Sequence, residues 1–155
     1  MPVAEPHAVR CRRLLAQATK GTLSTVARDP AGYPYGSLVA LAADEAGRPL
    51  LLLSKLAEHT KNLEARPEAS VLVVDDAREG DPLAGPRVSI LGPCEPVPAT
   101  EVAAVRATFL ARHPEAASYV DFKDFGFFRL EPAALRYVEG FGRMSWVTAA
   151  DYRAG

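Results

Sequence analysis

Cysteine is scarce in this chain. Cys11 and Cys94 are the only two in 155 residues, and neither has a Cys-x-x-Cys partner or a histidine cluster beside it. That excludes a disulfide-framed scaffold, argues against a structural zinc, and predicts two buried thiols in a reducing compartment. No metal site is expected. Long apolar runs are also missing: none approaches the roughly 18 residues that would span a bilayer. The start Met1-Pro2-Val3-Ala4-Glu5-Pro6 has neither the basic residues nor the apolar stretch of a secretion signal. A soluble, cytoplasmic protein with no membrane partner is the expectation. Charge of one sign is lacking too, since 18 Lys and Arg mix with 19 Asp and Glu for a net charge of −1. No basic stripe argues for nucleic acid, and no block of like charge argues for a tail.

What is present is apolar substance: 48% hydrophobic residues in 155 suffice for one domain, residues 1–155, with a real core. Ala8, Cys11, Leu14, Leu15 and Ala18 recur at helical spacing, which predicts an amphipathic helix over 7–18. Gly21 is read as ending the approach to a first strand over 22–27. The turn Asp29-Pro30-Ala31-Gly32 then leads to a second strand over 33–42. Pro49 to Ser54 is apolar enough for a strand buried on both faces. A short helix from about Ala57 to Ala65 must stop before Pro67, and a strand over 70–75 follows. Asp76 to Pro86, rich in proline, glycine and charge, is an exposed loop able to act as a lid. The strand over 87–97 contains Gly92-Pro93, which implies a bulge or bend. A helix over 99–112, a link from His113 to Lys123, and closing strands over 125–130 and 135–141 complete the pattern. The order favours a small closed β-barrel with flanking helices over a doubly wound sheet, which needs a helix after nearly every strand.

The densest chemistry lies where the buried strand meets the short helix, in Leu53-Ser54-Lys55-Leu56-Ala57-Glu58-His59-Thr60-Lys61-Asn62-Leu63. A helix start offers unpaired N–H groups and a positive dipole end, and Ser54, Thr60 and Lys61 can add hydroxyl and ammonium donors around one phosphate. The plain alternative is that Glu58, Lys61 and Asn62 form the solvated face of a helix. His59 packs or caps its helix, or donates a proton near a cofactor. His7 and His113, beside helix ends, are read as surface residues. Arg87 either pairs with an acidic residue of the preceding loop or holds an anion. Trp146, the only tryptophan, is a packing or interface residue. Asp75-Asp76 and the pair Asp121 and Asp124 sit where turns favour aspartate, so neither is assigned a catalytic role. Asp124-Phe125-Gly126 has no kinase context, and Gly140-Phe141-Gly142 lacks the rest of a dinucleotide fingerprint.

Several blocks taken together resemble the pyridoxamine 5′-phosphate oxidase-like FMN-binding split barrels, and among them the haem-utilisation branch. They are Tyr35-Gly36-Ser37-Leu38-Val39, Leu53-Ser54 with Leu56 to Leu63, Asp81-Pro82-Leu83-Ala84 followed by Arg87, and Asp124-Phe125 with Gly140-Phe141-Gly142-Arg143. The resemblance implies a mainly β (α+β) fold, a six-stranded split β-barrel with flanking helices, that forms a homodimer with FMN at the subunit interface. It further implies that Ser54, Thr60, Lys61 and Asn62 hold the FMN phosphate, with Lys55 adding positive charge beside it. The backbone at Ser37, Leu38 and Val39 would line the flavin ring, Arg87 would approach phosphate or ring, and Arg143 and Trp146 would cover the flavin of the other subunit. Relatives that degrade haem bind its iron through a histidine in a C-terminal extension. No histidine follows His113 here, which ranks flavin above haem.

The expectation is therefore an FMN-dependent oxidoreductase acting on a small molecule the sequence does not name, the flavin carrying the redox chemistry and no residue assigned as catalytic. Two alternatives stand beside it. One is a haem-binding or haem-degrading protein of the same fold; the other is a non-enzymatic barrel dimer that has lost flavin.

Overall fold

A computed structural model describes residues 2–155, which contain nine antiparallel strands and four α-helices. In chain order these are α1 (His7–Gln17), β1 (Lys20–Val26), β2 (Pro34–Ala40), β3 (Ala42–Ala43), β4 (Pro49–Ser54), α2 (Glu58–Ala65), β5 (Glu68–Val74), β6 (Pro86–Pro96), α3 (Val102–Arg112), β7 (Phe125–Leu130), β8 (Ala134–Glu139), β9 (Arg143–Thr148) and α4 (Ala149–Ala154). Short 3₁₀ turns occupy Pro82–Ala84, Ala99–Glu101 and Pro114–Ser118. The architecture is the mainly β split barrel that the family resemblance implies, where the strand-and-turn pattern alone favours a closed barrel.

β6 organises the sheet. Along one edge it pairs with β5 from Arg87 to Pro93. Along the other it pairs with β8 through Pro86 to Leu91, then with β7 through Cys94 to Pro96. The change of partner falls on Gly92-Pro93, the predicted bend. Here the chain can carry no side chain: a Cβ at Gly92 would lie 1.9 Å from the Glu131 carbonyl oxygen, which belongs to the connection between the two partner strands. Proline next to it suits a strand segment that bends and changes partner.

Two hydrophobic clusters follow from this split. The larger fills the barrel between β1, β5, β6 and β8 and takes in Cys11, Leu14 and Leu15 from α1. The smaller joins Leu50 of β4 and Phe127 of β7 to Val105 and Phe109 of α3. β4 is buried along nearly its whole length because one face meets each cluster, as its unbroken leucine run predicts. Both cysteines lie in the larger cluster, where burial pushes each thiol up to about 12. They are inert at neutral pH.

The structure departs from the sequence reading at four points. Gly21 lies inside β1, not before it, because a Cβ there would meet Leu41 Cδ1 at 2.6 Å and the Leu72 carbonyl at 2.9 Å. His113 is buried, with Nε2 2.6 Å from the Leu41 carbonyl, and His7 is half-buried over Tyr137, so neither is a surface residue. The helix expected over 99–112 opens with a 3₁₀ turn. The segment after Phe141, beyond the last strand expected, is β9 and α4. Its polar and apolar residues alternate over only six positions, too few to separate a strand from an irregular tail by pattern alone.

α4 is locked by one side chain. The Tyr152 hydroxyl donates to the Gly47 carbonyl at 2.6 Å, and the Arg12 guanidinium lies 5.4 Å from the ring centroid. Arg12 also donates to the carbonyls of Glu45 at 2.7 Å and Ala46 at 3.0 Å. Thus α1, the β3–β4 turn and α4 share one polar node. Burial keeps the Tyr152 phenol un-ionised. Tyr152→Phe is expected to cost about 1–1.5 kcal/mol in a urea melt, the net worth of one buried hydrogen bond. Gly92→Ala is expected to cost about 3 kcal/mol and to lower Tm by roughly 6–12 °C, since the new methyl overlaps backbone that cannot yield. A Gly92→Ala protein with unchanged Tm would show that the strand exchange tolerates a side chain.

Candidate functional site

The expected phosphate motif is built where the backbone leaves β4 and enters α2. Ser54 Oγ accepts from the Leu56 N–H at 3.2 Å and donates to Asp124 Oδ2 at 3.3 Å, while the Lys55 N–H donates to the Asp124 carbonyl at 2.6 Å. Thr60 is fully buried and donates to the Ser54 carbonyl at 2.5 Å. Asn62 is buried too. Its amide donates to Thr25 Oγ1 and its carbonyl oxygen accepts the Arg28 N–H, both at 3.0 Å. Lys61 reaches outward to Glu58 at 3.9 Å, and Lys55 is exposed. Three of the motif's side chains therefore staple the helix to the ends of β1 and β4, and a carboxylate stands beside the Ser54 hydroxyl. His59 is half-buried on the same helix, and burial holds its pKa below the usual imidazole value.

The remaining candidates divide by strand parity. On β2, Ser37 and Val39 turn inward and only Leu38 turns outward. The cross-strand register carries Leu38 through Thr22, Leu72, Ser89 and Arg136 to Trp146, so all six share the outer face of the sheet. A neighbouring row on that face runs from Val74 through Arg87 and Val138 to Met144. Leu38 is 77% exposed and Trp146 61%, and Leu72, Val74 and Met144 are exposed as well. Five exposed apolar side chains on one sheet face form a surface that calls for a partner or ligand.

Two guanidinium groups punctuate this face. Arg136 lies over the Trp146 ring, 5.4 Å from its centroid, a cation–π contact. Arg87 donates to the carbonyls of Leu83 at 2.6 Å and Gly85 at 3.3 Å. Among the described residues neither arginine has a carboxylate within ion-pair distance, which they share with Arg12, Arg28, Arg78, Arg112 and Arg153, whereas Arg10, Arg13, Arg48, Arg66, Arg106, Arg129 and Arg143 each do. Arg87 is thus held by backbone carbonyls of the preceding loop and not by an acidic residue of it. Arg143 projects from the end of β9 toward Glu139, 4.0 Å away.

Within one chain the expected cofactor residues thus fall into separate groups. The β4–α2 motif sits against β1 and β2 at one edge of the sheet, and Trp146 with Arg143 lies on β9 at the other. Leu38 and Trp146 are five strand spacings apart, about 24 Å along the sheet. Sequence reasoning missed Leu72, Val74, Arg136 and Met144. A signal existed in Val71-Leu72-Val73-Val74, which is apolar on both faces although only Val71 and Val73 join the core.

The two cofactor chemistries fit unequally. A flavin phosphate needs donors aimed outward. Here Thr60 and Asn62 aim inward, and Asp124 adds a repelling charge at Ser54. A porphyrin needs a broad apolar face with cations at its rim for two carboxylates, which the outer face offers in Leu72, Val74, Met144, Trp146, Arg87 and Arg136.

The chain is similar to several known proteins. Over 129 residues the chain is 43% identical to a protein named non-canonical heme oxygenase HOZ, chloroplastic, of Arabidopsis thaliana, covering 83% of this chain and 39% of that protein. A solved structure titled heme binding protein from Mycobacterium smegmatis superposes with a TM-score of 0.91 at 36% identity, covering 99% of this chain and 62% of that one. The chain thus spans 39% of the first relative's length and 62% of the second's, under two thirds of each. A protein related to general stress protein 26, of the pyridoxinephosphate oxidase family, from Clostridium acetobutylicum shares the fold, with a TM-score of 0.73 at 11% identity over 97% of this chain and 99% of that one. The family model described as CREG, beta-barrel matches residues 2–154, and the chain belongs to that split-barrel family.

Proposed function

We propose that this protein binds haem on the outer face of its sheet and works as a homodimer closed over that face. The observation that carries the reading is the pair of guanidinium groups, Arg87 and Arg136, left without carboxylate partners on an exposed apolar surface. The macrocycle would lie against Leu72, Val74, Met144 and Trp146, and each propionate would meet one arginine through a charge-assisted hydrogen bond. Bound haem supplies iron-centred redox chemistry. The protein's own part is to desolvate the ring, fix the propionate edge and exclude water through the second copy.

This reading reverses the ranking of flavin over haem. That ranking rested on the lack of a histidine after His113, which does not touch the porphyrin surface or the propionate partners. FMN binding keeps the fold in its favour and loses the phosphate donors Thr60 and Asn62 to Ser54 and Thr25. Oxidative opening of haem is the second reading, favoured by the 43% identity to a protein named as a heme oxygenase.

Haemin added to the purified protein is expected to give a saturable Soret band, whereas FMN fluorescence should remain unquenched. Arg136→Ala is expected to weaken haemin binding roughly tenfold, the loss of about 1.4 kcal/mol. Flavin uptake that disappears in Lys61→Ala, with no Soret band, would return the protein to the flavin reading. Supplying ascorbate and oxygen separates binding from turnover: decay of the Soret band with release of iron marks an oxygenase, a stable band a binding protein. Light scattering is expected to report a dimer that Leu38→Asp converts to monomer, because the charge would be buried at the centre of an apolar contact.

A further inference from the structure

Charge on the outer face of the sheet is of one sign. Lys20, exposed at the start of β1, stands two residues before Thr22, so the antiparallel register sets it level with Val74, two residues after Leu72. It therefore extends the row that runs through Val74 and Arg87 to Met144. A third row, from Ser24 through Ser70 and Leu91 to Thr148, flanks the row of Leu38 and Trp146 on its other side. These rows carry three cations, Lys20, Arg87 and Arg136, and no aspartate or glutamate. Among the described residues Lys20, like the two arginines, has no carboxylate within ion-pair distance.

The nearest acids lie off the rows. Asp75, next after Val74, lines a cleft on the inner side with Arg10, Arg13 and Tyr137. Glu139 is held by Arg10 at 2.5 Å, and Asp81 accepts the Leu83 N–H at 2.9 Å. Asp76 and Glu79 belong to the exposed connection beyond the end of β5. Within the face, Arg87 and Arg136 are diagonal cross-strand neighbours, about 7–8 Å apart. Lys20 stands two strand spacings from Arg87, about 10 Å. Both separations are comparable with the Debye length at physiological salt, about 8–10 Å, so the three charges feel one another. A two-fold dimer closed over this face brings each of the three in twice, six in all, and the loss of water between the copies strengthens the repulsion.

We infer that closure of the dimer and binding of the porphyrin are one coupled equilibrium, regulated by the charge of this face; the inference rests on the haem reading above. The face supplies apolar area for association and lacks the counter-charge. A planar apolar dianion brings that counter-charge in with it, because its propionates neutralise the face as the second copy covers the ring. Lys20 acts through its field, adding to the charge that must be offset before the copies close. The empty dimer is therefore the loose form and the filled dimer the tight one, and a ring without carboxylates is not enough to tighten it. Linkage makes the effect reciprocal: the factor by which the ligand tightens the dimer is the factor by which the dimer tightens its hold on the ligand. An apolar homodimer contact without this charge would show neither behaviour.

Sedimentation equilibrium gives the dimer dissociation constant of the wild type, Lys20→Gln and Lys123→Gln at about 0.05 M and about 0.5 M NaCl. Where the dimer is too tight for sedimentation, exchange between two dye-labelled pools gives the same comparison as a rate. Lys123 is exposed in the turn before β7, off the three rows, so its variant makes the same change in net charge. The empty wild-type dimer is expected to tighten at least about tenfold with salt. Lys20→Gln is expected to tighten the low-salt dimer about threefold and to flatten its salt dependence, and Lys123→Gln to change neither. At low salt, iron-free protoporphyrin IX is expected to tighten the wild-type dimer about tenfold, and its dimethyl ester, the same ring without charge, to leave it unchanged. A dimer indifferent to salt and to Lys20→Gln, equal shifts in the two lysine variants, or tightening by the ester overturns the coupling, and haemin binding in that protein spares the haem reading. Failure to bind any porphyrin at either salt overturns both.

Discussion

The rest of the structure depends on β6 exchanging one partner for another at Gly92. A strand can hydrogen-bond to one neighbour on each edge, so a single sheet that must surround one core and flank a second has to break its ladder somewhere. β6 pairs with β5 from Arg87 to Pro93 and on its other edge trades β8 for β7, and the 1.9 Å separation of a Gly92 Cβ from the Glu131 carbonyl means that only glycine can occupy the crossing. The β8–β9 hairpin is swung away from β7 at that point. Its outer face continues the face of β1, β2 and β5, while β4 and β7 turn to meet α3. The exposed apolar surface, the two unpaired arginines and the edge that carries Trp146 all sit on the branch that this exchange creates.

A second regularity concerns where polar chemistry is satisfied and where it is left open. No buried side-chain nitrogen or oxygen among the described residues lacks a hydrogen-bond partner. At the β4–α2 junction that accounting absorbs Ser54, Thr60 and Asn62, the residues whose types suggest anion binding. Donors that hold a helix in place cannot also meet a ligand without releasing their partners, at about 1–3 kcal/mol for each group left unsatisfied. The open valences lie elsewhere, in the faces of Arg87 and Arg136 and in the Trp146 ring. Function is better read from groups with unused bonding capacity than from groups of suggestive type.

This contrast sets what the sequence could reveal. The barrel was legible because its evidence is local and repeated. Pro49 to Ser54 is apolar throughout because it separates two cores, Gly92-Pro93 marks a bend, and Pro67 ends α2. The phosphate motif was legible as composition but not as geometry, since Thr60 looks the same whether its hydroxyl points at a ligand or at the Ser54 carbonyl. β9 and α4 were hidden by shortness. Arg136 was hidden by register, because its alignment with Trp146, Ser89 and Leu72 is a property of four strands drawn from distant parts of the chain.

Fold and cofactor part company here for a physical reason. A split barrel gives any member an exposed sheet face, and what the face holds depends on a few outward positions. A flavin mononucleotide is anchored at its phosphate, a compact dianion that needs several convergent donors at one point. A porphyrin is anchored over its whole area, with charge only at one edge, and tolerates a diffuse site. Turning Thr60 and Asn62 inward removes the first kind of anchor at no cost to the barrel, which gains the bonds to Ser54 and Thr25. Placing Leu72, Val74, Met144 and Trp146 outward supplies the second kind, but burdens the isolated chain with apolar surface in water. That burden is relieved when the same face is covered, so under the proposed function the residues that would suit the ligand are also those that would call for a second copy.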